Sequence, residues 1–264
     1  MTIRDSVALP LLFGVLSGAL AGMMGVGGGI LLVPLLLHFL HHSQHEAQGT
    51  SLAFVLAAAV VAVVPYVRND SVPWGLVGIL ALGAVPGVMI GAAVARRTPA
   101  RSLRLWFGLA VLAAAARLLL APPSGLGGAP WPPVWNALLG LGIGTFAGLL
   151  GVGGGVFLVP ALVLGQGLSQ HTAQGVSLAL IVPIGLVGAV SYARSGHAST
   201  RLLPALLAGG ALGGWFGATL AHELRAPVLS RIFALFLVVV AVHMIVGSRR
   251  PESPAATPQA GGSI

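Results

Sequence analysis

Gly22-Met-Met-Gly-Val-Gly-Gly-Gly-Ile-Leu-Leu-Val-Pro34 is a knot of glycines inside a run that is otherwise continuously apolar. From position 22 to position 148 is an offset of 126, and there the pattern returns as Gly148-Leu-Leu-Gly-Val-Gly-Gly-Gly-Val-Phe-Leu-Val-Pro160. A glycine inside a helix costs about 1 kcal/mol relative to alanine. Two copies of so costly a cluster, each closing on proline, predict a helix interrupted for a purpose.

The same offset holds far beyond the glycines. Ser43-Gln-His-Glu-Ala-Gln-Gly-Thr-Ser-Leu-Ala53 matches Ser169-Gln-His-Thr-Ala-Gln-Gly-Val-Ser-Leu-Ala179 without a gap. Tyr66 and Arg68 match Tyr192 and Arg194, and Gly83, Gly87 and Gly91 match Gly209, Gly213 and Gly217. One register kept over so many positions reads as an internal duplication, a common plan for transporters. The expected organisation is a first transmembrane repeat over 1–121, a proline- and glycine-rich linker over 122–133 and a second repeat over 134–248. A polar tail over 249–264, with Pro251, Pro254 and Pro258, reads as disordered and cytoplasmic.

Composition sets the class. The chain of 264 residues is 56% apolar and 7% charged, against about 25% charged residues in soluble domains. Apolar runs fall at 7–40, 47–67, 74–95, 103–121, 134–164, 173–192, 202–221 and 231–246. Most are near the roughly 20 residues that a spanning helix needs. The expected fold is an all-α, polytopic transmembrane bundle of eight apolar segments in two homologous four-segment halves. A signal peptide cut near Ala19-Leu20-Ala21 is rejected, because that stretch belongs to an element that recurs.

The absence of cysteine excludes thiolate metal sites and thiol chemistry. All thirteen cationic residues are arginines, which excludes a lysine Schiff base. The formal charge of +8 does not point to nucleic acid, since the arginines sit in short connections and read as topology signals.

Their distribution tests the direction of the halves. Four plain spans per half would leave six arginines on each side, with no cytoplasmic bias. If the first segment of each half instead folds back at its glycines, the second half is inverted. Arg4, Arg96, Arg97, Arg101, Arg104, Arg194, Arg201, Arg249 and Arg250 then lie inside, with Arg68, Arg225 and Arg231 outside. The positive-inside bias appears, and both termini are cytoplasmic. Residues 7–40 would be about 50 Å long as one helix, too long for a single straight crossing.

Irregular backbone at membrane depth is tolerated only where protein or a water-filled cavity satisfies it. A helix restarting at Ile30 or Val156 would point free N–H groups and its positive end at the break, as an anion requires. Tight helix packing is the alternative, as expected for Gly14, Gly18 and Gly22. A phosphate-binding loop is dismissed for want of its lysine and strand. Ser43 and Ser169 read as helix caps. Beyond them Gln48 and Ser51, like Gln174 and Ser177, share a helix face. They suit either an anion that must bind and leave or hydrogen bonding between helices. His45 and His171 are candidates for proton coupling, or simply histidines near a helix cap. No carboxylate lies deep in an apolar run, which disfavours a cation site. No nucleophile and base assemble, so the chain is not read as an enzyme, and no metal or cofactor is expected.

With its paired glycine motifs and paired Gln-x-x-Ala-Gln-Gly-x-Ser-Leu segments, the sequence resembles the sulfite exporter TauE/SafE family over about 11–246. The resemblance implies a multi-pass protein of the bacterial inner membrane that moves a small anion such as sulfite, sulfoacetate or another organosulfur compound. It also implies that Gly25, Gly27, Gly28, Gly29, Gln48 and Ser51 line the path with Gly151, Gly153, Gly154, Gly155, Gln174 and Ser177. Thr50 becomes Val176, so a symmetrical role for that hydroxyl is not implied. The expected partners are the anion and the bilayer; a homo-oligomer is left open. An anion channel and a non-transporting membrane scaffold are the alternatives.

Overall fold

A computed structural model of the chain describes residues 8–39, 44–69, 72–95, 100–120, 131–150, 153–194 and 202–249. Among the described residues every regular element is helical. The first apolar run divides into α1 (Ala8–Met24) and α2 (Gly29–Phe39), and α3 (Gln44–Asn69), α4 (Trp74–Ala95) and α5 (Ala100–Leu120) follow. The second series opens with α6 (Pro133–Leu150) and α7 (Gly155–Pro160) and continues with α8 (Gln170–Arg194), α9 (Leu203–Glu223) and α10 (Ala226–Arg249). Pro160 has no N–H to continue the ladder, and a single π turn, Ala161–Gly165, takes over from it. The α8 start is fixed by its cap: Ser169 Oγ accepts the Thr172 N–H at 3.1 Å. The cap expected at Ser43 lies outside the described residues, as does all of the expected linker except Trp131, Pro132 and Pro133.

Five helices are long and apolar enough to cross a membrane, within α3, α4, α8, α9 and α10. Shorter apolar helices accompany them. The faces turned away from the bundle are apolar too, with Leu82 76% and Val239 67% exposed. A surface of this kind suits lipid rather than water.

Small residues bring the backbones together. Gly14, Gly18 and Gly22 of α1 lie against Leu206, Gly210 and Gly214 of α9, so the two helices run parallel. Gly83, Gly87 and Gly91 of α4 meet Ala137, Leu141 and Thr145 of α6 in the same sense. A Cβ at Gly14 would stand 2.7 Å from the Leu206 carbonyl oxygen, closer than packing allows. The packing role expected for Gly14, Gly18 and Gly22 is what these contacts display. The central pair, α3 and α8, crosses in opposite directions: Leu52 lies against Gly188, Leu56 against Gly185 and Tyr66 against Gly175.

Both glycine breaks turn the chain back on itself. In the first, Phe39 at the end of α2 stacks edge-on with Phe13 near the start of α1, the rings 5.6 Å apart. In the second, Phe157 of α7 packs on Phe146 of α6 at 5.7 Å, and Gln166 Nε2 donates to Asn136 Oδ1 at 2.7 Å. The tips of these two hairpins meet beside the α3–α8 crossing.

Candidate functional site

The turns are possible because glycine holds left-handed backbone without strain. Gly25, Gly27 and Gly28 have φ of 70°, 82° and 72°, and Gly153 and Gly154 have 84° and 76°. Each following helix starts one residue earlier than the sequence indicates: Gly29 and Gly155 are the first residues of α2 and α7, not the last of the break. Gly151 lies outside the described residues.

The hairpin tips touch through backbone. Gly155 abuts the Gly25 carbonyl, and a Cβ on it would come within 2.8 Å of Val26 Cα. A side chain at Gly155 would force the tips apart, and one at Gly25 would run into Gln174 of α8. Gly27 and Gly153 both face the side chains of Val55 and Ile181, which lie on α3 and α8 and are themselves 126 positions apart. Val26, Val55 and Ile181 are buried, so the centre of the molecule is closed by apolar groups.

Polar groups surround this plug. Ser177 Oγ donates to the Gly25 carbonyl at 2.6 Å, tying α8 to the first break. Gln174 lies against the Cα position of Gly25 and is fully buried. The Tyr66 hydroxyl is 2.9 Å from the Gly22 carbonyl and 3.0 Å from Gln174 Oε1. A phenol carries one hydrogen, so it can donate to only one of these acceptors at a time. Gln174 Nε2 has no hydrogen-bond partner among the described residues, and neither has Ser51 Oγ, although both residues are fully buried. Such groups are costly: an unpaired buried donor loses about 1–3 kcal/mol.

The structure therefore brings Gly25, Gly27, Gly153, Gly155, Gln174 and Ser177 to one place. Gly28 and Gly154 form the outer sides of the turns, packed on Ser17 and Ala21 and on Ile143 and Ala147 respectively. Ser51 is buried in α3; Gln48 and His45 belong to the same helix, with side chains outside the described set. His171 stands apart, at the α8 start. Its Nε2 is 3.0 Å from the Ala221 carbonyl oxygen, and its ring is 5.4 Å from that of His222. His222 in turn stacks edge-on against Tyr66 at 4.5 Å.

Among the described residues, what this assembly offers a ligand is hydroxyl and amide donors with no fixed charge in reach of the breaks. Arg68, Arg117, Glu223, Arg225 and Arg231 are all exposed. Donors without permanent charge hold an acceptor reversibly.

The family model for the sulfite exporter TauE/SafE proteins matches residues 10–244. The chain belongs to this family. It is 27% identical to the probable membrane transporter protein YunE of Bacillus subtilis, over 91% of this chain and 97% of that protein. A probable membrane transporter protein of Xylella fastidiosa is 31% identical over 93% of this chain and 97% of its own length. Another, from Haemophilus influenzae, is 29% identical over 91% and 98%. No solved structure matches the chain. Family membership and the apolar helices together make it a multi-pass membrane transporter protein.

Tyr66, Val55 and Ile181 were not among the site residues expected from sequence. A signal for them existed. The chain has two tyrosines, and Tyr66 and Tyr192 fall at the offset of the duplication, as Val55 and Ile181 do.

Proposed function

We propose that this transporter carries a small sulfur-containing anion, sulfite or an organosulfonate such as sulfoacetate, by alternating access through the meeting point of the two glycine breaks. The observation that carries the reading is the fully buried Gln174 amide beside the tips, whose Nε2 has no partner among the described residues. The missing partner of an N–H is an acceptor, and an oxyanion is an acceptor with no hydrogen that needs placing. The family's own description, sulfite exporter, supports the sulfur-containing class.

The architecture behind this reading is two inverted halves, α1–α5 and α6–α10. Several observations support it. The glycine runs turn the chain back, so each half contributes three further helices, and α3 runs opposite to its counterpart α8. The α1–α9 pairing has its equivalent in α6–α4. In this reading each half makes an odd number of crossings and the arginine bias favours cytoplasmic termini, while the resemblance to the TauE/SafE family supports the bacterial inner membrane as the location. In this reading the amides of the first α2 and α7 turns face the anion from the two hairpin tips. The apolar closure by Val26, Val55 and Ile181 favours a carrier that occludes its substrate over an open anion channel.

The test is uptake of labelled sulfite, thiosulfate and sulfoacetate by purified protein in liposomes. We expect saturable uptake of at least one of them and a loss of tenfold or more in Gln174→Leu. Uptake that never saturates would make the protein a channel. No uptake, with a protein partner copurifying, would make it a scaffold.

A further inference from the structure

Four side chains run inward in a line from the end of the bundle where α8 begins. His171 and His222 are partly buried, with rings 5.4 Å apart. His222 meets the fully buried Tyr66 at 4.5 Å, and the Tyr66 hydroxyl reaches Gln174 Oε1 at 3.0 Å. The line joins partly exposed imidazoles to the amide beside the glycine breaks.

The hydrogen bonds at its outer end dictate what the imidazoles can do. A backbone carbonyl only accepts, so His171 Nε2, 3.0 Å from the Ala221 carbonyl oxygen, carries a hydrogen. His222 Nδ1 likewise donates to the Ala218 carbonyl at 2.8 Å. In neutral His171 the remaining nitrogen, Nδ1, therefore holds a lone pair, which repels an anion. After taking a proton from water the ring is a cation and Nδ1 becomes a second donor. An anion can hydrogen-bond this ring only in its protonated form.

Among the described residues, the charged and titratable groups where α3, α9 and α10 meet α8 at this end are Tyr66 and Arg68 of α3, His222 and Glu223 of α9, Arg225 in the turn after it and Arg231 of α10. In the duplicated register His171 and Tyr66 recur as His45 and Tyr192, whereas His222 is replaced by Arg96. A second imidazole belongs to one half alone.

We infer that His171, backed by His222, is a proton-charged port that admits the anion at this end and passes it to Tyr66 and Gln174. The inference rests on the transport reading above. Tyr66 is the inner positioning residue of the port, since moving its one hydrogen off the Gly22 carbonyl frees it to donate to the arriving anion. Binding at the port is strongest at low pH, where His171 is protonated, and weakens as pH rises.

The experiment measures half-saturating concentration against pH for thiosulfate and sulfoacetate, neither of which titrates near neutral pH. For the parent protein it should rise about tenfold per pH unit on the alkaline limb, as one obligatory proton requires. His171→Gln should lose that limb and stay at the weak alkaline value with its maximal rate kept; His171→Asn serves if the glutamine variant does not fold. Tyr66→Phe should weaken binding at every pH and keep the limb. If the parent has no alkaline limb, or the His171 variants keep the parent profile, the port is wrong and the transport reading stands. If the parent shows no saturable uptake at any pH, the transport reading fails and the port falls with it.

Discussion

The two hairpins turn on the same glycine sequence and are held shut differently. The first closes on aromatic rings, Phe13 against Phe39, and α2 runs unbroken through Pro34. The second closes on a polar clasp, Gln166 to Asn136 and Asn136 Nδ2 to the Trp131 carbonyl at 3.0 Å, after a π turn that begins beyond Pro160. The counterparts of Asn136 and Gln166 at the 126-residue offset are Pro10 and Leu40, which cannot form such a clasp. The glycines specify the turn; what lies at the open end of the hairpin specifies how firmly and in what register it closes.

The turns themselves differ in tolerance. A Cβ on Gly28 would run into the Ser17 carbonyl, whereas one on Gly154 would meet Ile143 Cγ2 at 2.8 Å, a side-chain methyl that is stiff on its β-branched carbon but less fixed than backbone. Both positions carry the cost of positive φ. Gly28→Ala should therefore lose about 4 kcal/mol and Gly154→Ala about 2 kcal/mol in reversible unfolding. Equal losses would mean that the two turns are interchangeable.

The clasp comes next. Asn136→Leu leaves the Gln166 amide buried without its partner and should cost about 2 kcal/mol. Replacing both residues with leucine, as in the apolar closure of the first hairpin, should recover most of that loss. A double variant as unstable as the single one would show that the polar clasp is a requirement of the π turn.

The smallest effect separates the two serines. Ser177→Ala removes the bond to the Gly25 carbonyl and should cost about 1 kcal/mol. Ser51→Ala, whose hydroxyl has no partner among the described residues, should cost less than about 0.5 kcal/mol. A larger loss from Ser51 would place its hydroxyl in a structural role.

Much of this was legible in the sequence because it is local. Apolar runs gave the helices, and α4 begins and ends where its run does, at 74–95. Three adjacent glycines cannot share one helix face, so breaks over 25–29 and 151–155 are expected from sequence; the structure has them at 25–28 and, among the described residues, at 153–154. What was not legible depends on which distant residues meet. Tyr66 sits near the end of an apolar run, where a tyrosine reads as an interface anchor. Only the folded chain places it 2.9 Å from Gly22 and 3.0 Å from Gln174, 108 positions away. Asn136 and Gln166 were hidden for the opposite reason, since neither has a polar counterpart in the duplicated register.

That the glycine turns invert one half against the other is the claim on which the shared site depends. The chain has no cysteine of its own, so single cysteines report cleanly. Labelling Arg97→Cys and Arg225→Cys with a membrane-impermeant thiol reagent in intact cells and in inverted vesicles should place the two positions on opposite faces. Finding both on the same face would contradict the inverted halves.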